Sequence, residues 1–185
     1  NIKNYWTDIK SKITLEMANN WSNELILSTI SAQFGEAVLA NDEAYDVLNV
    51  EVTPTSVHEM ISWLKAHPEL KVNFLTNLTG IHYPNDKGRE ICVVYHMHSW
   101  TNNIRFRLKA YLPIDNPSIA TITDIFVGAN WLERETFDFF GIQFQGHPNL
   151  TRILNEETMD YHPLRKEYHL EDQTRQDKDN RFFGR

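Results

Sequence analysis

Residues 91–112 read ICVVYHMHSWTNNIRFRLKAYL, and the alternation within this stretch decides the fold. The odd-numbered residues from 91 to 97 and the even-numbered residues from 104 to 112 are all apolar or aromatic. Between the apolar positions of the second half stand Arg105, Arg107 and Lys109. Period-two alternation on both sides of a loop at 99–102 predicts an antiparallel hairpin with one apolar and one basic face. We expect helices to cover the apolar face, while the basic face is either solvated or covered by another element.

Upstream of this hairpin, the spacing of apolar residues predicts three helices and two strands. Positions 2, 5, 6, 9 and 13 share one helical face, which indicates an amphipathic helix over 2–18. A second helix is expected to run to about Phe34 and to end at Gly35. A strand is predicted over 45–52 and another over 72–82. Between them, Ser56 and Glu59 form a possible capping box for a helix that ends at 67–68.

Downstream of the hairpin, two more helices are predicted, over 119–126 and over 129–140, the second ending at Gly141. From residue 155 to 185, acidic and basic residues alternate and no apolar periodicity persists. This segment therefore has no core of its own and is predicted to be a tail, either disordered or laid on a partner. The chain divides into an N-terminal extension (1–20), a central domain (21–154) and this extended tail (155–185).

Composition excludes several classes of function. The 185 residues carry 18 Lys plus Arg and 25 Asp plus Glu, which gives a net charge of −7. An acidic chain is a poor candidate for non-specific nucleic-acid binding or for docking alone on anionic lipid. No stretch approaches the roughly 18 apolar residues of a membrane span. Because Cys92 is the only cysteine, an intramolecular disulfide, a thiolate zinc site and an iron–sulfur cluster held by this chain alone are also excluded.

Two groups of residues could carry chemistry. His96 and His98 lie two apart on one strand face and could hold a metal, but the cations of the same face would repel it. Glu133, Glu135 and Asp138 crowd one short helix, where they fit a structural network better than general acid–base catalysis. Arg134 and Asp138 are four residues apart and could pair. The chain has no G-x-G-x-x-G or complete Walker motif for a nucleotide.

The informative segment is 131–152, which reads WLERETFDFFGIQFQGHPNLTR. Its aromatic residues face more than one direction around the predicted helix, which is more than a single core stripe requires. We therefore expect part of this apolar surface to be buried by another chain or by the tail. Gly141 and Gly146 bracket a turn, and Arg152 comes near enough to meet Glu133, Glu135 or Asp138.

This segment resembles the signature of the 30 kDa subunit family of proton-pumping NADH-quinone oxidoreductase (respiratory complex I). The matching pieces are Glu133-Arg134-Glu135, Asp138-Phe139-Phe140-Gly141-Ile142, Phe144, Gly146-His147-Pro148 and Leu150 with Arg152-Ile153-Leu154. A second block, Tyr161-His162-Pro163-Leu164-Arg165-Lys166, resembles the element that follows in the family. Thr151, Asn149 and 167–169 depart from the usual pattern, which weakens the prediction of individual tail contacts.

The resemblance implies an α+β fold: a two-layer α/β domain with a mixed, largely antiparallel sheet, plus an extended C-terminal tail. It implies a subunit of the bacterial, unfused form that lies in the hydrophilic arm at the cytoplasmic face of the inner membrane. Such a subunit carries no cofactor and no metal of its own. It braces the quinone-site, hydrogenase-large-subunit-like partner and the cluster-bearing subunits, which hold FMN, Fe–S clusters and quinone in this hetero-oligomer. Nucleic acid is not a partner, and membrane contact occurs only through the complex.

The resemblance also implies a set of assembly residues and no catalytic residues. These assembly residues are Glu133, Arg134, Glu135, Asp138, Phe139, Phe140, Gly141, Phe144, Gly146, His147, Pro148, Arg152, Tyr161, Pro163, Leu164, Arg165 and Lys166. Two other interpretations stay open. One is the equivalent scaffold subunit of a membrane-bound hydrogenase or of a ferredoxin- or F420-linked oxidoreductase. The other is a stand-alone enzyme that uses the histidine or carboxylate groups described above.

Overall fold

The computed structural model describes residues 21–168, so the predicted helix over 2–18 and the tail beyond 168 lie outside the described residues. Within 21–168 the helices are α1 (Asn23–Phe34), α2 (Val57–Ala66) and α3 (Ala129–Phe140). The strands are β1 (Val38–Ala44), β2 (Val47–Val52), β3 (Phe74–His82), β4 (Ile91–Ser99), β5 (Ile104–Leu112), β6 (Ser118–Ala120) and β7 (Gln143–Gln145).

Five strands form the main sheet in the order β1-β2-β5-β4-β3. Only the β2–β5 pair is parallel, so the sheet is mixed and largely antiparallel, as predicted. The apolar face of β4 and β5 shares one core with buried residues of all three helices, among them Ile30, Met60 and Ala129. This arrangement is a two-layer α/β domain, with the helices on one face of the sheet.

The predicted hairpin is confirmed in full register. Ile91 pairs with Leu112 and Ser99 pairs with Ile104, with no shift between these two ends. On the basic face, Arg107 Nη1 donates to Asn49 Oδ1 of β2 at 3.3 Å, and Lys109 Nζ lies 3.4 Å from Asp42 Oδ1 of β1. Side chains of neighbouring strands therefore cover part of the basic face, which the sequence left undecided.

The edge strand β1 was not predicted. Its middle residues are exposed on both faces, so the segment shows none of the alternation that reveals a half-buried strand. Tyr45 and Asp46 both have positive φ, of 55° and 61°, and form a tight two-residue turn into β2. The strand predicted over 45–52 consequently begins at Val47, and the strand predicted over 72–82 begins at Phe74.

The helix predicted over 119–126 is wrong. Residues Ser118–Ala120 form the short strand β6, which pairs in parallel with β7. Ile119 lies opposite Phe144 in that pairing. A three-residue strand is too short to show a period, and its hydrogen-bonding partner lies 25 residues further along the chain, so no local signal marks it.

The ends of the other helices agree with the sequence, apart from one cap. α1 ends at Phe34 before Gly35, α2 ends at Ala66, and α3 spans the residues expected for it. The capping box expected at Ser56 is absent, because the residues before α2 form a 3-10 turn, Pro54–Ser56. Ser56 Oγ instead accepts a hydrogen bond from Thr53 Oγ1 at 2.9 Å.

Candidate functional site

The signature residues gather around α3, which packs on the edge strand β3. Close approach of the two elements depends on Gly80 of β3. A Cβ atom at Gly80 would lie 2.6 Å from Cδ2 of the Phe140 ring, a distance that real Cβ atoms do not tolerate. Phe140 is buried there, and Phe139 packs partly buried against the same core. The helix therefore packs closely on the sheet. This packing holds in place the two carboxylates that the helix buries, those of Glu133 and Asp138.

Asp138, fully buried near the end of α3, is the centre of the first group. Its Oδ1 accepts hydrogen bonds from Arg152 Nη1 at 2.7 Å and from Asn155 Nδ2 at 3.1 Å. Its Oδ2 accepts from the backbone N–H groups of three consecutive residues, 153 to 155, at 2.9–3.1 Å. One carboxylate therefore organises the whole turn that follows Arg152.

The electrostatics of Asp138 follow from these donors. Burial alone would raise the pKa of this carboxyl, because it disfavours the charged form. The backbone donors of Asn155 and Leu154, together with the Arg152 guanidinium, outweigh burial and hold the pKa well below its ordinary value of 3.8. Asp138 is therefore an anion at all physiological pH values and serves as a permanent acceptor for its five donors.

Residues 152–168, here named the capping segment, satisfy the C-terminal carbonyls of α3. The last four carbonyls of a helix have no partner within it. In α3 the Phe137 carbonyl accepts from Gly141 N, and the Phe139 carbonyl accepts from Leu164 N at 3.2 Å. The remaining two carbonyls, of Asp138 and Phe140, accept from the side chains of Arg152, His162 and Arg165 at 2.8–3.0 Å.

The capping segment is also tied to itself and to the sheet. Arg152 Nη2 donates to the carbonyls of Met159 and Tyr161 at 2.7 and 2.8 Å, so a single guanidinium joins α3 to both. Lys166 N donates to Nδ1 of His82, a buried residue at the end of β3, at 2.9 Å. Residues 152–168 thus lie against this chain's own α3 and β3.

Gly141 is required where the capping segment crosses the helix end. Its φ of 77° lies in the left-handed region, which costs a residue with a side chain about 1–2 kcal/mol. A Cβ atom at this position would also lie 2.5 Å from His162 Cδ2 and 2.7 Å from Arg165 Nη2. Both the backbone conformation and the packing of the two capping residues therefore select glycine.

Glu133, buried in the middle of α3, is the centre of a second group. Its Oε1 accepts from Ile122 N at 2.8 Å, and its Oε2 accepts from Thr121 Oγ1 at 2.5 Å. The nearest cationic candidate is His147, whose Nε2 lies 4.0 Å from Glu133 Oε2. His147 Nε2 is 3.2 Å from the Asn130 carbonyl and its Nδ1 accepts from Asn149 N, which favours the neutral Nε2–H tautomer.

The two carboxylates consequently differ in charge. Burial raises the pKa of Glu133 from 4.5 to about 7, and the hydrogen bonds from Ile122 and Thr121 only partly oppose it. Within residues 21–168, Glu133 has no guanidinium partner, in contrast to Asp138. Near neutral pH it is therefore a mixture of the protonated and ionised forms, and it links α3 to the loop that follows β6.

The structure corrects the expectation about Arg134 and selects one partner for Arg152. Arg134 does not pair with Asp138. Its Nε donates to the Thr151 carbonyl at 3.1 Å and its Nη2 donates to the Arg152 carbonyl at 3.0 Å, so it clamps the backbone on which Arg152 stands. Of the three acids that Arg152 could have met, it binds Asp138.

The other predicted site residues are more scattered. Glu135 is half-buried, and its side chain makes no hydrogen bond among residues 21–168, while Phe144 is buried on β7. Gly146 and Pro148 line a shallow groove of about 450 Å³ together with Trp131. Further along the capping segment, Tyr161, Leu164 and Lys166 have exposed side chains, while Pro163 and Arg165 are half-buried.

Sequence reasoning missed four residues that complete these groups. They are Thr121 and Ile122 at the Glu133 carboxylate, Asn155 at the Asp138 carboxylate, and His82 at the end of the capping segment. Thr121, Ile122 and His82 are far in sequence from the signature, and Asn155 stands one residue beyond it, so none of the four lies within the motif. A fifth residue, His162, stands within the quoted motif and had a signal that could have found it.

Large apolar side chains around these groups face outward. Trp131 is 56% exposed and Leu154 is 64% exposed, and Tyr161, Leu164 and Tyr168 are exposed as well. Charged side chains of the capping segment, Glu156 and Glu157 among them, face solvent as well. A surface on which several large apolar side chains are exposed together is typical of contact with another protein.

The histidines that the sequence offered as metal ligands lie elsewhere. His96 Nδ1 accepts from Arg107 Nε at 3.4 Å, and His98 packs against Phe74 and Trp100. Within residues 21–168 no group of three or more His, Cys, Asp or Glu side chains is placed to hold a metal ion. In the same range, the helices are too short or too polar to span a bilayer.

Comparison with known proteins agrees with the signature. Residues 50–174 match the sequence model of the family described as respiratory-chain NADH dehydrogenase, 30 Kd subunit. An NADH-quinone oxidoreductase subunit from Roseiflexus sp. (strain RS-1) is 43% identical over 148 residues, which cover 80% of this chain and 84% of the relative. An NADH-quinone oxidoreductase subunit from Mycolicibacterium smegmatis is 40% identical over 125 residues, 68% of this chain and 52% of the relative.

Solved structures show the same fold. A trypsin-resistant fragment (1-134) of Nqo5 superimposes with a TM-score of 0.58 and 32% identity, over 69% of this chain and 98% of the fragment. A chain of an archaeal membrane-bound sulfane sulfur reductase has a TM-score of 0.65 over 80% of this chain and 85% of its own, but at 22% identity it shows the fold alone. The chain therefore belongs to the 30 kDa subunit family of NADH-quinone oxidoreductase, as the ordered motif between Glu133 and Lys166 predicted.

Proposed function

We propose that this chain is a non-catalytic subunit of the peripheral arm of NADH-quinone oxidoreductase, and that it braces the quinone-site subunit and the cluster-bearing subunits. FMN, the Fe–S clusters and quinone belong to those partners. The observation that carries the proposal is the orientation of the capping segment. The side chains of Arg152, His162 and Arg165 donate to carbonyls at the end of α3. The apolar side chains of Leu154, Tyr161, Leu164 and Tyr168 are exposed.

The chemistry of the signature supports a scaffold. The guanidinium groups of Arg134, Arg152 and Arg165 all donate to carbonyls of this chain. The Asp138 carboxylate accepts five hydrogen bonds from the residues that follow it. Groups committed in this way hold the backbone in one geometry and are not free to bind a substrate. A buried, hydrogen-bonded ion pair of this kind is suited to specifying a single conformation.

The proposed role explains why the capping segment both binds the end of α3 and exposes apolar side chains. Five hydrogen bonds from Arg152, His162, Leu164 and Arg165 to the end of α3 keep the segment in place. Its outward apolar side chains are therefore ordered before a partner arrives, which lowers the entropic cost of association. The groove beside Trp131 and Pro148, near the start of α3, is a further exposed apolar surface.

The experiment that tests this role separates docking from folding. Leu154→Glu and Leu164→Glu change exposed side chains, so we expect the variant chain to unfold at the same urea concentration as the wild type. We expect the amount of assembled oxidoreductase in membranes to fall at least about tenfold, because each variant places a charge in an apolar interface. Leu39→Glu, at an exposed leucine of β1 on the opposite edge of the sheet from β3, is the matched control.

Turnover supplies the second measurement. NADH-to-quinone activity is divided by the amount of assembled complex, for the wild type, Leu154→Glu and Arg152→Ala. A non-catalytic subunit predicts unchanged activity per complex in both variants. Normal complex levels with a collapse of activity per complex would show that this segment takes part in the reaction.

The related membrane-bound complexes are separated from this proposal by their partners. A hydrogenase or a ferredoxin- or F420-linked complex would lack the NADH-binding flavoprotein. We expect mass spectrometry of the chains that co-purify with this one to find that flavoprotein. Its absence from an otherwise intact complex would favour the related complexes instead.

A further inference from the structure

A second surface lies at one end of the sheet face that the helices leave open. Phe74 of β3 pairs with His98 of β4, and His98 pairs with Arg105 of β5. Directly paired residues of neighbouring strands project to the same face. The three side chains therefore form one row across three strands, on the face opposite the core, and Trp100 follows immediately after β4.

The aromatic rings of this row form a platform, defined here as Phe74, His98 and Trp100. The His98 ring lies against the Trp100 ring, with centroids 4.8 Å apart and planes at 34°. Phe74 meets both rings nearly edge-on, at 6.1 and 5.8 Å. His98 is only 2% exposed, whereas Trp100 is 65% exposed and Phe74 is 41% exposed. The two outer rings bury the histidine and remain open to solvent themselves.

Hydrogen bonds hold the backbone of the turn beside the platform. Trp100 N donates to Asn73 Oδ1 at 3.2 Å. Asn102 Nδ2 donates to the carbonyls of Glu69 and Leu70 at 2.6 and 2.9 Å, which ties the turn to the segment before β3. An exposed tryptophan on a fixed backbone loses little entropy on binding, and tryptophan is enriched among the residues that dominate binding energy.

Two polar groups beside the rings lack partners within residues 21–168. Nε2 of His98 is buried and has no hydrogen bond. Arg105 is exposed and has no carboxylate partner in this range, whereas Arg107 and Lys109 of the same strand are bound by Asn49 and Asp42. Burial, followed by the charge of Arg105, lowers the pKa of His98, so at neutral pH the imidazole is uncharged. Arg105 is thus the cation that this row offers to a partner.

We propose that Phe74, Trp100 and Arg105 form a docking site for an acidic segment of a neighbouring subunit, one that places an apolar side chain on the two rings and a carboxylate on the guanidinium. Arginine binds carboxylates in a fixed, two-pronged geometry, and aromatic rings favour an apolar contact beside it. This site lies on the sheet face opposite α3 and is separate from the capping segment. It rests on the proposed function only in requiring that the chain is part of a multi-subunit complex.

The first test maps the partner directly. The photoreactive residue p-benzoylphenylalanine replaces Trp100, whose exposure makes the exchange compatible with folding, and the assembled complex is irradiated after purification. We expect a crosslink to a peptide of another subunit with Asp or Glu within about three residues of the attachment point. The same replacement at Leu39, which is exposed on β1 near the opposite end of the strands, is the control and should give no such product.

The second test uses charge. Arg105→Glu should reduce the fraction of complexes that keep this chain through a salt wash by about tenfold, and Arg105→Lys should restore much of that retention. Both variants are first shown to unfold at the wild-type urea midpoint. The proposal is overturned if position 100 gives no crosslink to another subunit, crosslinks to a second copy of this chain or to a peptide without acidic residues, or if Arg105→Glu is retained normally. Loss of assembly in Leu154→Glu together with these outcomes would leave the proposed function standing and reject this site alone.

Discussion

α3 buries two carboxylates about one and a half turns apart, and the protein treats them in opposite ways. Asp138 has a guanidinium and three backbone N–H groups around it, and its pKa is lowered. Glu133 has one hydroxyl and one backbone N–H, and its pKa is raised to about 7. Both side chains are fully buried. Burial raises the pKa of each carboxyl, and only at Asp138 do the hydrogen-bond donors outweigh it.

The difference has a structural consequence. The Asp138 group requires the negative charge, because a neutral acid could not satisfy Arg152 and three N–H groups together. The Glu133 group tolerates either protonation state, since its two donors can bond to the neutral acid as well. We infer that Asp138 determines the path of the capping segment, while Glu133 joins α3 to the loop after β6.

The largest expected effect comes from breaking the charged group. Asp138→Asn leaves the buried Arg152 without its counter-charge and turns an amide donor toward backbone N–H groups. We expect the free energy of unfolding at pH 7, measured by urea denaturation, to fall by about 3–5 kcal/mol. Glu135→Gln, at a half-buried acid of the same helix, is the control and should stay within about 0.5 kcal/mol of the wild type.

The sign of the pH dependence sharpens this prediction. The pKa of Asp138 is lower in the folded than in the unfolded chain, so its stabilisation is present above its ordinary pKa of 3.8 and is lost as pH falls toward the folded value. The difference in the free energy of unfolding between the wild type and Asp138→Asn should therefore become smaller at acidic pH. A deficit that is constant from pH 7 to pH 3 would mean that shape, and not charge, explains the loss.

The contribution of Glu133 to stability should depend on pH in the opposite direction, and the effect should be smaller. Its pKa rises from 4.5 to about 7 on folding, so its stabilisation is complete below pH 4.5 and is lost as pH rises through 7. Between pH 4.5 and pH 8, the free energy of unfolding of Glu133→Gln should rise by up to about 3 kcal/mol relative to that of the wild type, because the amide cannot ionise. Urea denaturation of both chains across this range measures the gain. Parallel stability profiles would show that folding does not raise the pKa of Glu133.

The smallest expected effect comes from a change of packing at the end of α3, in the Asp138 group and away from the Glu133 group. Gly141→Ala introduces a side chain at positive φ and displaces His162 and Arg165, so we expect a loss of about 2 kcal/mol and faster proteolysis within the capping segment. Gly35→Ala is the matched control, since Gly35 also has positive φ but no atom within 4 Å of an added Cβ.

The same variant tests the independence of the two groups. An NMR titration of the Glu133 carboxyl should give the same pKa in Gly141→Ala as in the wild type, because the capping segment does not touch Glu133. A shifted Glu133 pKa would mean that the two groups are coupled through α3. A loss equal to that of Gly35→Ala would mean that backbone strain alone, without the contact to His162, explains the effect.

How far the sequence could predict this arrangement differs between the fold and the site. The hairpin of β4 and β5 was predicted because its apolar period is local and unbroken, and the end of α3 was predicted because Gly141 follows it. The strands β1, β6 and β7 were not, since they are exposed or three residues long and are defined by partners elsewhere in the chain. At the site, the predicted residues were present, but the pairing of Arg134 with Asp138 was wrong because i, i+4 spacing ignores the carbonyls of residues 151 and 152.

Local periodicity and an ordered run of unusual residues are enough to predict α3, the hairpin and the family. Three other properties depend on how the chain folds: which acid receives Arg152, the closure of the end of α3 by the motif after residue 152, and the opposite pKa shifts of two carboxylates of one helix. Hydrogen-bond donors from distant or backbone positions set these properties. Such donors leave no local pattern in the order of the side chains.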